Sequence, residues 1–481
     1  MDKIDGKSFL KKLLGFSAAS WISAAISFLS TPFITRFFLP EDVGKVNIFL
    51  TILVLFQTIS ILGLDQAFMR FYTDLSSQAK KNGLFTYCLR ISILMSSLCA
   101  IVVLVFNKFF SNQIAGTYNF EIIIYLAVSI FSSSILRMTS IKARMEKNII
   151  SYTFQTISTS FIEKVLFVLV AFYKSSYSIV LLAICCGYFI ISVLFLFINR
   201  KSISVHIHLN KAFKIAILKF SIPYLPVLLL AWLNNSIPQF FLKQYVDYSA
   251  VGIYTNAVTI ANILTIIQTG FTVYWSPFAY ENYQNNAEKL KKVHVLITFI
   301  LIAFGLLIIL SQDFIYLLLG VKFRMGKMFF PFLLFSPICN SIADTTGIGV
   351  MISKKSYLNL YTFIASTSTN IIFCFLLIPV FGVAGAAIAA AIAAIIMLIV
   401  RTYLGQKHYK VCDNIFQLIL GLSMLLISSI SNLLIGNQII KYFAVILSYL
   451  LLMLVYINEL KYLITFIKKI ILDTLKLKRR N

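Results

Sequence analysis

Two adjacent charged residues lie deep inside an apolar stretch of the sequence and are the strongest candidates for chemistry. Glu163 and Lys164 follow an apolar run that begins near residue 150, which places them roughly 20 Å along a helix at ~1.5 Å per residue. A lone charge at the centre of a membrane span costs at least about 2.5–3.5 kcal/mol, so such residues face water or protein. The carboxylate is suited to proton or ion coupling, and the ammonium is suited to attracting an anion. A structural pair with neighbouring helices is the alternative interpretation.

Polar residues precede this pair on the same side of the predicted helix. They form two stripes at helical spacing, rotated by about 100° from each other, and consist of Tyr152, Gln155, Thr159 and Glu163, and of Thr153, Thr156, Ser160 and Lys164. Because adjacent residues point about 100° apart, Glu163 and Lys164 do not simply pair with each other. The two stripes predict a wide polar face that lines a cavity.

A second polar stripe occurs in the second half of the chain. Its members recur every three or four residues and are Asn256, Thr259, Asn262, Thr265, Gln268 and Thr272. Asn370 lies in a later apolar run beside four Ser and Thr residues. Repeated amides on one face exceed what helix packing requires, although tight packing of small polar residues is the alternative. We therefore predict that Asn256, Asn262, Gln268 and Asn370 line a substrate cavity.

Three further charged residues are candidates on weaker grounds. Asp344 lies within an apolar run and either relays a proton or ion or satisfies a neighbouring helix. Asp65 and Arg70 lie at the end of the second apolar run, where interfacial snorkelling is the simplest explanation. We keep Asp65 as a candidate for coupling and Arg70 as a candidate for the substrate cavity.

No catalytic constellation is visible in the sequence. The four histidines are dispersed, and His206 and His208 have no further metal ligands near them. Most of the seven cysteines lie in or beside apolar runs, and their spacing matches neither zinc sites nor a disulfide framework. A glycine-rich phosphate loop is missing, so an ATPase is not expected. The expected protein is not an enzyme and uses no metal or cofactor.

The composition identifies the elements that must position these residues. The chain has 481 residues, of which 59% are hydrophobic and only 12% are charged, whereas globular domains carry about 25% charged residues. Its mean hydropathy is +0.90. These values exclude large soluble domains, and nucleic-acid-binding modules are excluded despite a net charge of +25. A basic excess in a membrane protein normally marks cytoplasmic loops.

The apolar runs predict about fourteen transmembrane helices, which we number as spans 1 to 14. They lie near 13–35, 43–64, 84–106, 120–138, 150–173, 177–198, 212–233, 250–275, 293–311, 328–350, 356–378, 382–404, 414–434 and 438–458. Continuous rather than alternating apolar runs predict helices instead of a barrel. Pro223, Pro226 and Pro238 predict a bent or broken span 7.

The distribution of basic residues predicts the orientation of these spans. With a cytoplasmic N-terminus, the inner segments hold 32 Lys and Arg residues and the outer segments hold 8. This ratio is a strong positive-inside signal and requires an even number of spans. We therefore predict that both termini are cytoplasmic. The connections are short, which disfavours a membrane glycan polymerase or transferase that houses chemistry in a large outer loop.

A weak internal repeat predicts the domain organisation. The segments 33–51 and 241–259 share an initial Phe, a Val-Gly pair and a final Thr, with Val43-Gly44 matching Val251-Gly252 at an offset of 208. Chance is the alternative, but a parallel duplication of six spans is a common transporter design. The expected division is an N-terminal lobe over 1–210, a C-terminal lobe over 211–410, and spans 13 and 14 with a basic tail over 411–481.

Several motifs resemble those of one family of transporters. They are Gly63-Leu64-Asp65 followed by Arg70-Phe71-Tyr72; the segment from Pro32-Phe33 to Gly44; and a longer series with Gly347, Gly349, Lys354-Lys355, Asn370, Pro379, Gly382 and Gly385-Ala386-Ala387. The chain resembles the polysaccharide flippases of O-antigen and capsule biosynthesis, within the superfamily that includes MATE-type multidrug exporters and lipid II flippases. The resemblance covers essentially the whole chain.

The resemblance implies two six-helix lobes around a central cavity and a further helix pair. It implies that an undecaprenyl-pyrophosphate-linked oligosaccharide is moved from the inner to the outer leaflet of a bacterial plasma membrane by alternating access, for polysaccharide or lipopolysaccharide biosynthesis. The expected partners are this lipid, the bilayer and the glycan polymerase machinery, with no nucleic acid. An ion-coupled multidrug exporter of the same fold is the main alternative, although a cationic drug would need carboxylates that spans 1 and 8 do not have.

Overall fold

A computed structural model describes residues 6–203, 209–284, 286–353, 355, 357–461 and 464–465, and the side chains of most of them, from residue 18 onward and without residues 273, 274 and 276. Throughout this part of the chain the regular structure is helical and includes no strand. The predicted all-α, polytopic membrane fold is confirmed. Side chains of Phe189, Ile190 and Val193 are among many large apolar groups on the outer surface of the bundle, where lipid replaces water.

We refer to the described residues up to 203 as the N-half and to those from 209 to 406 as the C-half. The N-half contains α1 Gly6–Phe37, α2 Pro40–Ile61, α3 Leu64–Tyr72, α4 Gln78–Val105, α5 Asn107–Ala115, α6 Phe120–Met145, α7 Ile149–Ser160, α8 Leu166–Ala171 and α9 Tyr177–Ile198. The C-half contains α10 Lys211–Ser221, α11 Leu225–Tyr245, α12 Tyr248–Ala261, α13 Thr265–Asn282, α14 Ala287–Leu317, α15 Phe330–Leu333, α16 Phe335–Thr346, α17 Ile348–Ile352 and α18 Leu358–Gln406. A C-terminal pair follows, with α19 Ile415–Leu434 and α20 Gln438–Val455.

Twelve helical segments among the described residues are long and apolar enough to cross a membrane. The fourteen predicted spans are compatible with this number for two reasons. Predicted span 10 is divided into the short consecutive helices α15, α16 and α17. Predicted spans 11 and 12 both lie within the 49 residues of α18, which would be about 74 Å long if straight, far beyond the ~30 Å hydrocarbon core.

The helix α18 is a hairpin of two antiparallel arms. Gly382 has φ 54° and ψ −128°, a backbone conformation that is essentially restricted to glycine. Close approach of Gly385 to the Leu377 carbonyl and a hydrogen bond from the Ser366 hydroxyl to the Ala393 carbonyl join the two arms. The turn therefore separates predicted span 11 from span 12, as the sequence indicates.

Three other spans are interrupted where polar or proline residues occur, and one of these breaks is the 3-10 turn Asn262–Leu264 between α12 and α13. A 3-10 turn over Ile222–Tyr224 contains Pro223 and divides α10 from α11, which confirms the predicted break in span 7. In span 5, a π-helical turn over Phe161–Val165 separates α7 from α8. This turn contains both Glu163 and Lys164. Single π-turns inserted in α-helices are often found at functional sites.

The N-half and the C-half repeat the same arrangement at the offset seen in the sequence. Helices α1 and α11 end at Phe37 and Tyr245, and α2 and α12 begin at Pro40 and Tyr248, so each pair of positions differs by 208. A Cβ atom on Gly44 would lie 1.9 Å from the Tyr248 carbonyl oxygen, and one on Gly252 would lie 2.0 Å from that of Pro40. The α2–α12 contact is therefore reciprocal, as expected for two pseudo-symmetric six-helix lobes.

The C-terminal pair packs on the C-half. The Gln312 side chain of α14 donates to Asn432 of α19 at 2.7 Å, and the Asn432 amide donates to two carbonyl groups of the segment before α15. The Asp313 carboxylate of α14 accepts hydrogen bonds from Lys327, which lies before α15, and from Tyr442 of α20. Polar anchors of this kind join α19 and α20 to the C-half.

Candidate functional site

Three neighbouring cavities lie between the two halves and within them. A central compartment of about 450 Å³ lies between α2 and α11, and a C compartment of about 440 Å³ extends among α11, α12, α13, α16 and α18. An N compartment of about 340 Å³ lies among α2, α6, α7 and α9. Asn47 and Gln239 line both the central and the C compartments, whereas Gln57 and Arg137 line both the central and the N compartments. The three spaces therefore form one polar region.

Helix α2 provides much of the wall of the central compartment. Asp65 at the start of α3 also lines this compartment. The lining residues of α2 recur at steps of three and four and include Asn47, Thr51, Val54, Thr58 and Ile61. This spacing places them on one face of the helix. The opposite wall contains Trp232 and Gln239 of α11. The Trp232 indole N–H donates to the Thr51 carbonyl, and the Gln239 amide oxygen accepts from the Thr51 hydroxyl. The two halves thus meet across this compartment through polar contacts.

An ion pair between Asp65 and Arg137 places a cation in the cavity wall. Their side chains approach to 2.9 Å, with the Asp65 side chain 4% exposed and that of Arg137 50% exposed. The Gln66 backbone amide and side chain also donate to the Asp65 carboxylate. A buried carboxylate therefore anchors the guanidinium, whose remaining N–H groups are free to bind an anion in the cavity.

Arg137 is the most important functional candidate that the sequence prediction missed. It was counted among the cytoplasmic basic residues because it lies at the end of predicted span 4. The available signal was its spacing, since Ser133, Arg137, Ser140 and Arg144 recur at steps of three and four, and all four line the N compartment. Arg144 forms no ion pair with any residue that the structure describes. The N compartment therefore contains two guanidinium groups.

Glu163 and Lys164 face different parts of the cavity. The Glu163 carboxylate accepts a hydrogen bond of 2.5 Å from the Tyr188 hydroxyl and lines the N compartment. Lys164 lines a small cavity of about 20 Å³, which it shares with Glu163, Asn256 and Thr259. In the described part of the chain no carboxylate lies within ion-pair distance of the Lys164 Nζ atom. The Lys164 amine therefore lies at the boundary between the two halves without an ion-pair partner among the described residues.

Three of the four predicted amide residues line the C compartment. These are Asn262, Gln268 and Asn370, whereas Asn256 lies at the small cavity beside Lys164. The Asn370 side chain donates to the Asn234 backbone carbonyl at 2.6 Å, so it holds α18 against α11. The sequence prediction missed further amides of this wall, namely Asn47, Asn234, Asn235, Gln239 and Asn340. Asn47 and Asn340 are isolated amides in their runs, whereas Asn234, Asn235 and Gln239 are close together but lie on a span interrupted by proline.

The structure places two predicted site residues away from these cavities. Arg70 bonds Asp74 one helical turn later, and both side chains are more than half exposed. Asp344 forms an ion pair of 2.9 Å with Arg401 of α18, and the Thr272 hydroxyl lies 3.5 Å from its other oxygen. Neither Arg70 nor Asp344 lines any of the cavities described above. Asp344 therefore satisfies a neighbouring helix in this conformation.

Some residues of the sequence interpretation lie outside the described part of the chain. They are His206, His208, Lys354 and the basic residues of the tail beyond 465. In the described ranges, no group of three or more His, Cys, Asp or Glu residues could hold a metal ion. The polar groups that do converge include charged side chains in the N-half, among them two guanidinium groups, and are uncharged in the C-half. This arrangement is suited to binding an elongated ligand with an anionic end.

Comparisons with known proteins identify the family and the fold. Residues 9–278, more than half of the chain, match a family model described as polysaccharide biosynthesis protein. The fold is similar to a lipid II flippase, MurJ, in an inward closed conformation, with a TM-score of 0.70 and 15% identity over 92% of this chain and 99% of that one. It is also similar to inward- and outward-facing structures of a multidrug resistance MATE family transporter of the MOP superfamily.

These two structures have TM-scores of 0.60 and 0.57, with 17% and 16% identity over 80% and 82% of this chain and 94% and 95% of theirs. A search of curated protein sequences gives no match. At such low identities the structural likenesses establish the fold, and the family model establishes the family.

Proposed function

Since the chain belongs to the polysaccharide biosynthesis protein family, we propose that it is a flippase for a lipid-linked oligosaccharide. The proposed substrate is an undecaprenyl-pyrophosphate-linked repeat unit, moved from the inner to the outer leaflet of a bacterial plasma membrane for O-antigen or capsule biosynthesis. One observation carries this proposal: a polar cavity between two apolar helical lobes has guanidinium groups at one end and amides at the other.

The pyrophosphate has its best binding groups in the N-half. Arg137 and Arg144 line the N compartment, and Lys164 lines the adjoining small cavity. Guanidinium groups bind phosphate oxygens with paired, charge-assisted hydrogen bonds. In a site of low dielectric, these bonds replace the hydration that a multiply charged head group loses on entry. The apolar lipid tail remains in the bilayer beside the protein.

Alternating access follows from the reciprocal contact between α2 and α12. The proposed lobes comprise residues 1–210 and 211–410, with 411–481 attached to the second. The α2–α12 contact closes one end of the cavity, which the positive-inside count assigns to the outer face. Opening this end separates Gly44 from Gly252 and releases the oligosaccharide. Glu163 is proposed to accept a proton or a partner cation during the return step. Its carboxylate lies at the cavity wall, where it accepts a hydrogen bond from the Tyr188 hydroxyl.

The carboxylates that line the cavity already have partners within the protein, and this disfavours a multidrug exporter of the same fold. Among the described residues that line the four compartments, the carboxylates are Asp65 and Glu163. Asp65 is paired with Arg137, and Glu163 is bonded by Tyr188. A cationic drug would have to compete with these partners and would approach Arg137 and Arg144. The cavity therefore favours an anionic ligand.

Transport by the purified full chain tests the proposal directly. The protein is reconstituted in liposomes that contain a polyprenyl-pyrophosphate-linked triglucoside, and a glucosidase added outside removes the terminal glucose from the accessible leaflet. A flippase exposes the glycan of the inner leaflet, so cleavage proceeds beyond the outer-leaflet fraction. Cleavage limited to that fraction, combined with export of a cationic dye by the same liposomes, would favour the drug exporter.

Cell localisation provides a separate test. A reporter that is active only in the cytoplasm, fused after residue 481, should be active, because the 32 to 8 distribution of basic residues predicts a cytoplasmic C-terminus. An inactive cytoplasmic reporter combined with an active external one would contradict the topology.

Association with a glycan polymerase is also proposed, because polymerisation consumes the translocated repeat unit.

A further inference from the structure

The C compartment has a composition that differs from the rest of the cavity. Twenty residues line it, of which eight carry side-chain amides, six carry hydroxyl groups and the others are apolar. No Asp, Glu, Lys, Arg or His is among these lining residues. Its volume of about 440 Å³ falls within the usual range of ~300–1,000 Å³ for small-molecule pockets. The compartment is therefore a polar but uncharged pocket.

Part of this polar surface is already used to hold helices together. Asn370 donates to the Asn234 carbonyl, and Ser366 donates to the Ala393 carbonyl within the α18 hairpin. The hydroxyl groups of Thr255 and Thr259 donate hydrogen bonds to backbone carbonyl groups of α12, their own helix. These groups shape the wall, and their hydrogen-bond donors are already used, at least in part, within the protein.

Three other amides have no such role. The side chains of Asn262, Gln268 and Asn340 line the compartment, and they form no hydrogen bond with any residue that the structure describes. Each amide offers two N–H donors and one oxygen acceptor. Ligand hydroxyl groups both donate and accept, so they match such a set without leaving either partner unsatisfied. The available groups of the C compartment are thus suited to sugar hydroxyls.

A charged sugar would find no partner in this pocket. A carboxylate that enters a site of low dielectric loses its hydration and needs a cation in return. The basic residues of the cavity wall, Arg137, Arg144 and Lys164, belong to the N-half, and none of them lines the C compartment. The small cavity of Lys164 adjoins this compartment and shares Asn47, Thr255 and Thr259 with it. In the proposed function the basic residues bind the pyrophosphate. An acidic sugar in the C compartment would therefore be desolvated without compensation.

From this segregation of charge, and on the basis of the proposed function, we infer that the C compartment is a subsite for uncharged sugars. The oligosaccharide carried by this protein then consists of neutral residues at the positions held by Asn262, Gln268 and Asn340, and uronic or other acidic sugars are excluded there. The anionic charge of the whole substrate is confined to its pyrophosphate.

Two matched lipids test this specificity. Both are polyprenyl-pyrophosphate-linked trisaccharides that end in the same glucose, and the middle sugar is glucose in one and glucuronic acid in the other. Purified full-length protein in liposomes moves each lipid, and the external glucosidase reports the rate at which the terminal glucose becomes accessible. The neutral lipid is expected to move at least about tenfold faster, because a buried charge without a partner is strongly disfavoured.

A cation placed in the compartment should change this preference. Gln268→Arg is expected to lower the ratio of the two rates by at least about fivefold, because the new guanidinium can pair with the glucuronate. Gln284→Arg is the matched control. Gln284 is exposed and lines none of the cavities, so this variant should keep the wild-type ratio.

The outcomes separate the subsite from the function on which it rests. Equal rates for the two wild-type lipids, or a faster rate for the glucuronate lipid, would overturn the inference and leave the flippase function intact. If the protein moves neither lipid, both the function and the subsite are wrong. The wild-type ratio decides the inference even if Gln268→Arg fails to fold.

Discussion

The N-half and the C-half share a helical framework but present different chemistry to the cavity. The N-half contributes the charged groups Asp65, Arg137, Arg144, Glu163 and Lys164. The C-half contributes amides and hydroxyl groups to the facing wall. Charge has therefore been concentrated on one side of a pseudo-symmetric molecule. A ligand that binds both sides must itself be unevenly charged.

The ion pairs of the two halves show this asymmetry. Asp65 of α3 pairs with Arg137 of α6, whereas Asp344 of α16 pairs with Arg401 of α18. In the N-half, Arg137 of the Asp65–Arg137 ion pair lines the central and N compartments. In the C-half, the acidic residue is paired with Arg401 of α18 instead, and neither of these two lines a compartment. An ion pair thus provides a cavity-lining cation in one half and a contact between helices in the other.

Neutralising each ion pair should give the largest effect and the sharpest contrast between the halves. The double variant Asp65→Asn with Arg137→Gln is expected to lower the rate of glycolipid transport by about 10- to 100-fold, because a charge-assisted hydrogen bond is worth about 1.5–3 kcal/mol. The matched variant Asp344→Asn with Arg401→Gln should keep most of the transport. Liposome transport assays on both proteins measure the difference.

Single variants provide the control for folding. Arg137→Gln leaves the buried Asp65 carboxylate without its cation and should lower the amount of protein in the membrane, whereas the double variant should recover that amount. Membrane abundance is measured by immunoblot beside transport. Equal loss of transport in the N-half and C-half double variants would contradict the proposed difference between the two ion pairs.

The α2–α12 contact is the place where the two halves should behave alike. Gly44→Ala and Gly252→Ala each force a Cβ atom to within about 2 Å of a backbone carbonyl oxygen in the other half. We expect each to destabilise the closed state by about 1–3 kcal/mol, since overpacking cannot be relieved by a flexible side chain here. Thermal unfolding of detergent-extracted protein measures the effect.

Gly436→Ala is the control for these two variants, because a Cβ atom there would meet nothing within 4 Å. It should leave the unfolding temperature unchanged. A large loss from Gly44→Ala combined with none from Gly252→Ala would show that the contact is not reciprocal in solution.

The sequence predicted the framework better than the cavity. Apolar runs, Pro223 and the Val-Gly repeat are local signals, and they identified the spans, the break in span 7 and the offset between the halves. The partners of Asp344 and Asp65 come from helices 57 and 72 positions away, and such pairings are set by tertiary packing. The cavity-lining position of Arg137 was not predicted, because a cation at a span end fits both a cytoplasmic loop and a cavity wall. The π-helical turn at Glu163 had no recognisable signal in residue types.

Lys164 and Asn256 test the boundary between the charged and uncharged walls. They line the same small cavity from opposite halves. Lys164→Ala is expected to lower transport by about tenfold, equivalent to ~1.4 kcal/mol, with nearly normal membrane abundance. Asn256→Ala should lower it less, because the Asn256 amide donates to the Gly252 carbonyl at 3.0 Å and carries no charge.

Membrane abundance distinguishes the two interpretations of Lys164. A strong loss of protein in Lys164→Ala would indicate a structural role beside Glu163. Normal abundance with normal transport would mean that Lys164 neither binds the pyrophosphate nor stabilises the fold.

The smallest effect should come from a single amide of the C compartment. Asn262 lines this compartment and forms no side-chain hydrogen bond with the described residues, so Asn262→Ala removes only contacts with a ligand. A neutral hydrogen bond contributes about 0.5–1.5 kcal/mol, and we expect transport of the neutral glycolipid to fall about threefold. Asn235→Ala is the comparison, because the Asn235 amide already donates to the Ala231 carbonyl of its own helix, and it should change the rate less. Binding spread over several weak neutral contacts predicts that Asn262→Ala and Asn340→Ala combine additively. A tenfold or greater loss from Asn262→Ala alone, with normal abundance, would show instead that one amide dominates recognition in the C-half as Arg137 does in the N-half.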